Sequence, residues 1–243
     1  MVEKPAGLHV FPSGLGIGDS VLTRLLAGRP DLAEIGEAGA PAFVHRLDRS
    51  TSGLLLAAKT QAAYGSLRDD FSSGKVHKEY LALVEGSLQG RVEMDVPLGA
   101  RYRRSRRVSV CSEGRRLRGV RPARTIAEEI AQEAGLTLCR VETATGFRHQ
   151  VRAHLAHLGH PLAGDRLYGA TREIGGLEEH FFLHAWLIEL RHPDDGRRLR
   201  LCSPLPPAKR SVLAHTGLLE AYNRFLKEHS EPITTYLDDE TEG

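Results

Sequence analysis

The chain has 243 residues, 41% of them hydrophobic and 26% charged, which is ordinary globular composition with material for a sizeable core. No window approaches the roughly 18 apolar residues of a membrane span, which excludes a helical membrane protein. Met1-Val2-Glu3-Lys4-Pro5-Ala6-Gly7 has neither the apolar region nor the cleavage site of a secretory signal. The three cysteines, Cys111, Cys139 and Cys202, are scattered and odd in number, against a disulfide framework or thiolate zinc site and in keeping with a reducing cytoplasm.

The net charge of +2 conceals an asymmetry. Residues 228–243 carry six acids and no Lys or Arg, so residues 1–227 hold 33 basic against 25 acidic residues, a balance of +8. A body of that sign suits a polyanionic partner. The acidic stretch reads as a solubilising, disordered tail following one continuous domain, 1–227.

In chain order, the spacing predicts a first helix from about Ser20 to Ala27, capped by Asp19 or Ser20, with Leu22, Leu25 and Leu26 on one face. Residues 28–42 read as a loop. Phe43 to His45 and Gly53 to Lys59 read as strands flanking a turn, and Thr60 caps a helix to about Phe71 that Gly74 stops. Val76 to Glu85 alternates as a strand, followed by strands at Val92–Val96, Val108–Cys111, Ala123–Ile130 and Leu136–Glu142. A helix follows from about His149 to Leu158, with Val151, Leu155 and Leu158 toward the core. Strands at Phe182–Leu190 and Leu199–Cys202 precede a last helix from Pro206-Pro207 to about Lys227. Many antiparallel strands with few helices indicate an α+β fold.

The most informative stretch is His45-Arg46-Leu47-Asp48-Arg49-Ser50-Thr51-Ser52-Gly53-Leu54-Leu55-Leu56. It sets one carboxylate between two arginines ahead of a turn and an apolar run. Such a group can serve as nucleophile or base, and neighbouring cations keep it charged when burial would neutralise it. The wording resembles the catalytic-aspartate motif of the RluA-type pseudouridine synthases, which isomerise uridine in structured RNA. That resemblance makes Asp48 the catalytic residue. Isomerisation breaks the N-glycosidic bond, turns the base and joins its C5 to ribose C1′. A carboxylate could attack the sugar or remove a sugar proton, and the sequence leaves both routes open.

Four further blocks follow in that family's order. Lys78-Glu79-Tyr80-Leu81-Ala82-Leu83-Val84-Glu85-Gly86 resembles its K-x-Y-x-A-x-V-x-G strand, whose tyrosine stacks on the target base. Thr145-Gly146-Phe147-Arg148-His149-Gln150-Val151-Arg152-Ala153-His154-Leu155 resembles T-G-R-x-H-Q-[IL]-R-x-H-L, whose last arginine pairs with the catalytic aspartate; Arg152 takes that place. Phe147 departs from the pattern, with Arg148 one step later as a candidate replacement and, at four residues' spacing, on one helix face with Arg152. Gly159-His160-Pro161-Leu162-Ala163-Gly164-Asp165-Arg166-Leu167-Tyr168-Gly169 and Leu183-His184-Ala185 resemble the scaffold turns beneath the site.

The resemblance implies catalytic roles for Asp48, Tyr80 and Arg152, and substrate binding by Arg46, Arg49, Lys78, Arg148, His149 and Gln150. Arg46 would enter the stack vacated by a flipped base. The implied fold is the pseudouridine synthase catalytic fold: a mixed, mainly antiparallel bent sheet with helices flanking a central cleft. The implied partner is structured RNA (ribosomal or transfer), with no cofactor, no metal, no membrane, and a monomer in the cytoplasm. A non-catalytic RNA-binding protein on the same fold is the alternative, and a metal-dependent hydrolase a distant third. That third reading rests on His149, His154, His157 and His160; no HExxH accompanies them, and the nearest following acid is Asp165 in a Gly-rich turn. Gly14-Leu15-Gly16-Ile17-Gly18 lacks the spacing of a dinucleotide loop. Residues 101–124 hold ten arginines and one acid, Glu113, either a solvated face or a phosphate-tracking hairpin.

Overall fold

A computed structural model describes residues 1–12, 18–38, 40–103, 105–112, 114, 116–177, 179–229 and 234–237. In chain order the elements are β1 (Val2–Lys4), α1 (Val21–Gly28), β2 (Gly36–Glu37), β3 (Ala40–Pro41), β4 (Ser52–Leu55), α2 (Gln61–Ser72), β5 (His77–Glu85), β6 (Arg91–Asp95), β7 (Leu98–Ala100), β8 (Ser109–Val110), β9 (Arg118–Arg121), β10 (Arg124–Glu133), β11 (Leu136–Thr143), α3 (Gln150–His157), β12 (Leu183–Arg191), β13 (Arg198–Cys202), α4 (Pro207–His215), α5 (Leu219–His229) and β14 (Thr234–Leu237). The expected α+β class and mainly antiparallel pairing are what the chain adopts.

Among the described residues, the contacts divide into two compact units, one formed mainly by residues 1–77 and 185–204 and the other by residues 78–184 and 205–229. Each has its own core, because each gathers a sheet face and a helix stripe that cover one another. In the first unit, Ala63, Tyr64 and Leu67 of α2 pack on Leu54 and Leu56 near β4 and on Ile188, Leu190 and Leu201 of β12 and β13. In the second, Val151 and Leu155 of α3 pack on Ala82 and Val84 of β5, Met94 of β6, Ala127 of β10 and Cys139 and Val141 of β11. Cys139 is sealed in this core, where burial pushes its thiol up to about 12 and leaves it inert.

Local signals position the helices. Thr23 N–H donates to Ser20 Oγ at 3.1 Å while Ser20 N–H donates to Thr23 Oγ1 at 2.9 Å, a reciprocal cap on α1. Thr60 Oγ1 accepts from Ala63 N–H at the start of α2. The expected last helix is two helices. Gly217 takes a left-handed φ of 78°, and Leu218 N–H returns to Leu213 O at 2.8 Å, which closes α4 before α5 begins.

Other expectations change with packing. Residues 28–42 contain a short 3-10 turn (Pro30–Glu34) and the β2–β3 hairpin instead of plain loop. In β5, Leu81, Ala82, Leu83 and Val84 are all fully buried, since both parities carry apolar side chains. Leu158, expected in the core, is exposed just past the end of α3. Within the stretch expected to be a disordered tail, α5 continues to His229 and β14 pairs antiparallel with β13. Residues 230–233 and 238–243 lie outside the described residues, as do 13–17 of the glycine-rich segment.

Candidate active site

In the first unit, Asp48 sits half-buried in the loop before β4, with its neighbour Leu47 anchored in the interior. Asp48 O accepts from Thr51 N–H at 3.1 Å, which turns the chain into the strand. The loop is held from the other side by the chain's first residues. Lys4 is 2% exposed, and its ammonium donates to Pro5 O (2.8 Å), Leu8 O (2.6 Å) and Arg49 O (2.9 Å). Gly7 N–H also donates to Arg49 O, and Arg49 Nε donates back to Gly7 O, both at 2.9 Å. Arg49 is thus a clamp between the two loops, while Arg46 is exposed.

This neighbourhood is electrostatically tight. Burial draws Lys4 down to about 8, opposed by the Asp48 carboxylate and assisted by Arg49. His9 is lowered by burial and then by Arg49, Lys4 and Arg46. Asp48 therefore shares its loop with the Lys4 ammonium and the Arg49 guanidinium, two cations held in place by backbone carbonyls. His45 Nε2 accepts from Leu56 N–H at 3.0 Å and its ring stacks on Phe71 at 4.6 Å, so this imidazole braces the loop.

Gly53 is the one residue that could follow Thr51-Ser52 here. Its φ is +108°, and a Cβ would lie 2.1 Å from Ala185 O. The backbone at Ala185 thus passes directly against the strand leaving the Asp48 turn.

In the second unit, β5 carries Lys78 and Tyr80. Lys78 is buried, which lowers its ammonium's pKa. Tyr80 is partly buried against the core beside α3 and pairs in register with Val141 of β11. Glu85, at the end of the same strand, accepts from Thr171 N–H, Thr171 Oγ1 and Arg172 N–H, pinning the turn after Tyr168.

Arg152 is buried to the same extent as Lys78. Its Nε donates to Asp165 Oδ2 at 2.7 Å and its Nη2 to Asp165 Oδ1 at 2.9 Å, a forked pair with both side chains under 10% exposed. The guanidinium lies over Phe181 (4.3 Å) and Tyr168 (4.8 Å), so its faces are apolar and its edge is hydrogen-bonded. The expectation that Arg148 shares a helix face with Arg152 is corrected. His149 adopts a left-handed φ of 56° and the helix begins only at Gln150, so Arg148 points away and donates to Ser105 O at 2.7 Å. Phe147, where the family pattern has arginine, packs against the cluster of Leu98, Val108 and Tyr168.

His149 Nδ1 lies 3.1 Å from Tyr168 Oη. Gln150 is buried and its amide is saturated: Oε1 accepts from Phe147 N–H and Thr145 Oγ1, and Nε2 donates to Arg124 O and Thr125 Oγ1. Thr125 then donates to His154 Nδ1, because His154 Nε2 must donate to the Val96 carbonyl. This buried chain welds the 145–150 loop to β10 and gives Gln150 and His154 framework roles. His160 likewise faces Glu85 O.

Of the expected site residues, Arg46, Asp48 and Arg49 belong to the first unit, and Lys78, Tyr80, Arg148, His149, Gln150 and Arg152 to the second. Sequence reading missed Lys4 as the brace of the Asp48 loop and Asp165 as the counter-charge of Arg152. Both lie in motifs it quoted, but nothing local says which distant carbonyl or cation each would meet.

The family model for RNA pseudouridylate synthase matches residues 1–157. Ribosomal large subunit pseudouridine synthase D of Nitrosomonas europaea is 36% identical over 219 residues, covering 88% of this chain and 61% of that protein. An uncharacterized RNA pseudouridine synthase of Chloroflexus aurantiacus is 39% identical over 211 residues, 87% of this chain and 64% of the relative. The chain therefore spans less than two thirds of the length of these relatives. Among solved structures, human RNA pseudouridylate synthase domain containing 1 is similar at a TM-score of 0.66 and 27% identity, over 84% of this chain and 79% of that one.

Proposed function

Because the chain belongs to the RNA pseudouridylate synthase family, we propose that it isomerises uridine to pseudouridine in structured RNA, with Asp48 as the catalytic carboxylate. The observation that carries this reading is the Asp48 loop itself: an acid presented beside Arg46 and Arg49 and braced by the buried Lys4 ammonium. The reaction breaks C1′–N1 and forms C1′–C5; the proton on C5 leaves to solvent and N1 gains one. Attack of the carboxylate on the sugar and abstraction of a sugar proton both use a carboxylate oxygen lone pair. Neither route needs a metal, a nicotinamide or ATP.

In this reading Tyr80 stacks on the target base and Arg152 supports the carboxylate. Arg46 fills the stack after flipping, which costs a few kcal/mol that phosphate contacts offset. Arg49, Lys78, Arg148 and His149 serve substrate binding directly or through the loops they hold. The relatives named for the large ribosomal subunit make its RNA the favoured substrate, with transfer RNA the comparison to run. The enzyme works as a monomer in the cytoplasm; among the described residues no helix is long and apolar enough to cross a membrane.

The test is tritium release from RNA labelled at uridine C5. Release that persists in chelator and falls roughly 10²-fold or more in Asp48→Asn supports the assignment. Wild-type release from Asp48→Asn, or RNA binding with no release at all, overturns it.

A further inference from the structure

The second unit carries a three-stranded sheet that combines buried apolar residues with many exposed arginines. β7 is central, antiparallel to β8 (Leu98 opposite Val110) and to β9 (Leu98 opposite Arg121, Ala100 opposite Arg118). Leu98, Val108, Val110 and Ala123 pack inward with Ala153 and Tyr168. At Gly99 a Cβ would lie 2.8 Å from Leu117 Cβ and 3.0 Å from Val120 Cγ2, so β9 lies closely over β7. Tyr168 Oη accepts from Val108 N–H at 2.9 Å, and Arg148 donates to Ser105 O at 2.7 Å. The segment is therefore a fixed platform, tied at both its loop and its core side.

The exposed positions of this segment are rich in guanidinium. Arg101, Arg103, Arg106, Arg107, Arg116, Arg118 and Arg121 are all exposed, and among the described residues none has a carboxylate partner, whereas Arg124 next to them pairs with Glu93 at 2.7 Å. Residues 101–124 contain no lysine. Like charges packed this closely repel one another and destabilise the folded chain, and a bound polyanion relieves that repulsion. Arginine forks match phosphate oxygens two at a time, which lysine cannot do. Arg118 and Arg121 are rooted about 10 Å apart along a strand, so the charges are spread over an area and not focused on one small anion. Tyr102, 62% exposed with Arg101 5.4 Å from its ring, adds an aromatic face of the kind that takes an unpaired base.

We propose that β7–β9, with Arg101, Tyr102, Arg103, Arg106 and Arg107, form a docking surface for the sugar–phosphate backbone of structured RNA, additional to the Asp48 site. The choice of RNA among polyanions rests on the function proposed above; the surface itself does not.

The experiment measures affinity for a labelled RNA stem-loop across a salt series. It compares the wild-type chain, the triple variant Arg116→Gln/Arg118→Gln/Arg121→Gln, and the matching triple replacement by lysine. Expected for the glutamine triple is a fall of about 0.7–0.9 in the log–log salt slope for each arginine that met a phosphate. Affinity falls about tenfold or more at low salt, with kcat on saturating RNA unchanged. The lysine triple keeps the slope and loses part of the affinity. Equal slope and affinity in the wild type and the glutamine triple overturn the proposal. So does arginine-dependent capture by anionic phospholipid vesicles alongside arginine-independent RNA binding. Should the wild type bind RNA through these arginines yet release no tritium, the docking surface stands and the catalytic reading falls; release with an unchanged salt slope gives the reverse.

Discussion

Arg152 and Asp165 form a buried, forked ion pair clamped between the rings of Phe181 and Tyr168. The forked pair fixes the edge of the guanidinium while the two rings cover its face. Breaking it leaves a charge stranded in a dry site. Asp165→Asn is expected to lower the unfolding free energy by about 3–5 kcal/mol, read from urea denaturation. The double variant Asp165→Leu/Arg152→Met should recover part of that loss, because no buried charge remains. A loss below about 1 kcal/mol in Asp165→Asn would mean that solvent already screens the pair.

Tyr168 joins two parts of the second unit through one hydroxyl, which meets Val108 N–H and His149 Nδ1 while the ring covers Arg152. Tyr168→Phe keeps the ring and strands the Val108 N–H in a site 2% exposed. The expected cost is about 1–3 kcal/mol, with faster hydrogen exchange at the Val108 amide. Unchanged protection there would place the hairpin's anchor elsewhere.

Gly53→Ala adds a methyl where the backbone φ is +108° and Ala185 O lies 2.1 Å away. Strain and overpacking each contribute about 1–3 kcal/mol, so a loss of roughly 2–6 kcal/mol is expected in denaturant titration. A neutral substitution would show that the strand can move aside.

Burial holds Lys4 at about 8 in the folded chain, below its unfolded value near 10.5. Between those pH values the unfolded chain binds the proton that the folded chain has released. Stability from this site therefore rises with pH through that window, and below about pH 8 the full cost of burying the ammonium is present. The difference in unfolding free energy between wild type and Lys4→Met should climb in the wild type's favour from pH 8 to 10.5. A flat difference would show that the three carbonyl contacts keep the ammonium charged throughout.

Much of the fold could be read before any coordinates. Ser20 and Thr60 announce their helices because capping involves groups three residues apart, and the strand blocks from Lys78 onward announce themselves by apolar content and glycine punctuation. The errors have the same origin as the successes. Pro206 to Lys227 has one helical period throughout, but Gly217 costs nothing in a left-handed turn, and packing chose to break there. His149 left the helical region for a left-handed φ that no periodicity forecasts, which separated Arg148 from Arg152.

The sequence by itself determined the family-bearing blocks, the element types, the basic body and the concentration of arginine in 101–124, all of which are local or compositional properties. Only the tertiary structure decided partners. Lys4 reaches a carbonyl 45 residues away, Tyr168 an amide 60 residues back, and Arg152 a carboxylate thirteen residues on. A side chain's chemistry states what it needs, a donor, an acceptor or a counter-charge. Which distant group supplies it depends on how whole strands and helices pack, and that information is in no single stretch of the chain.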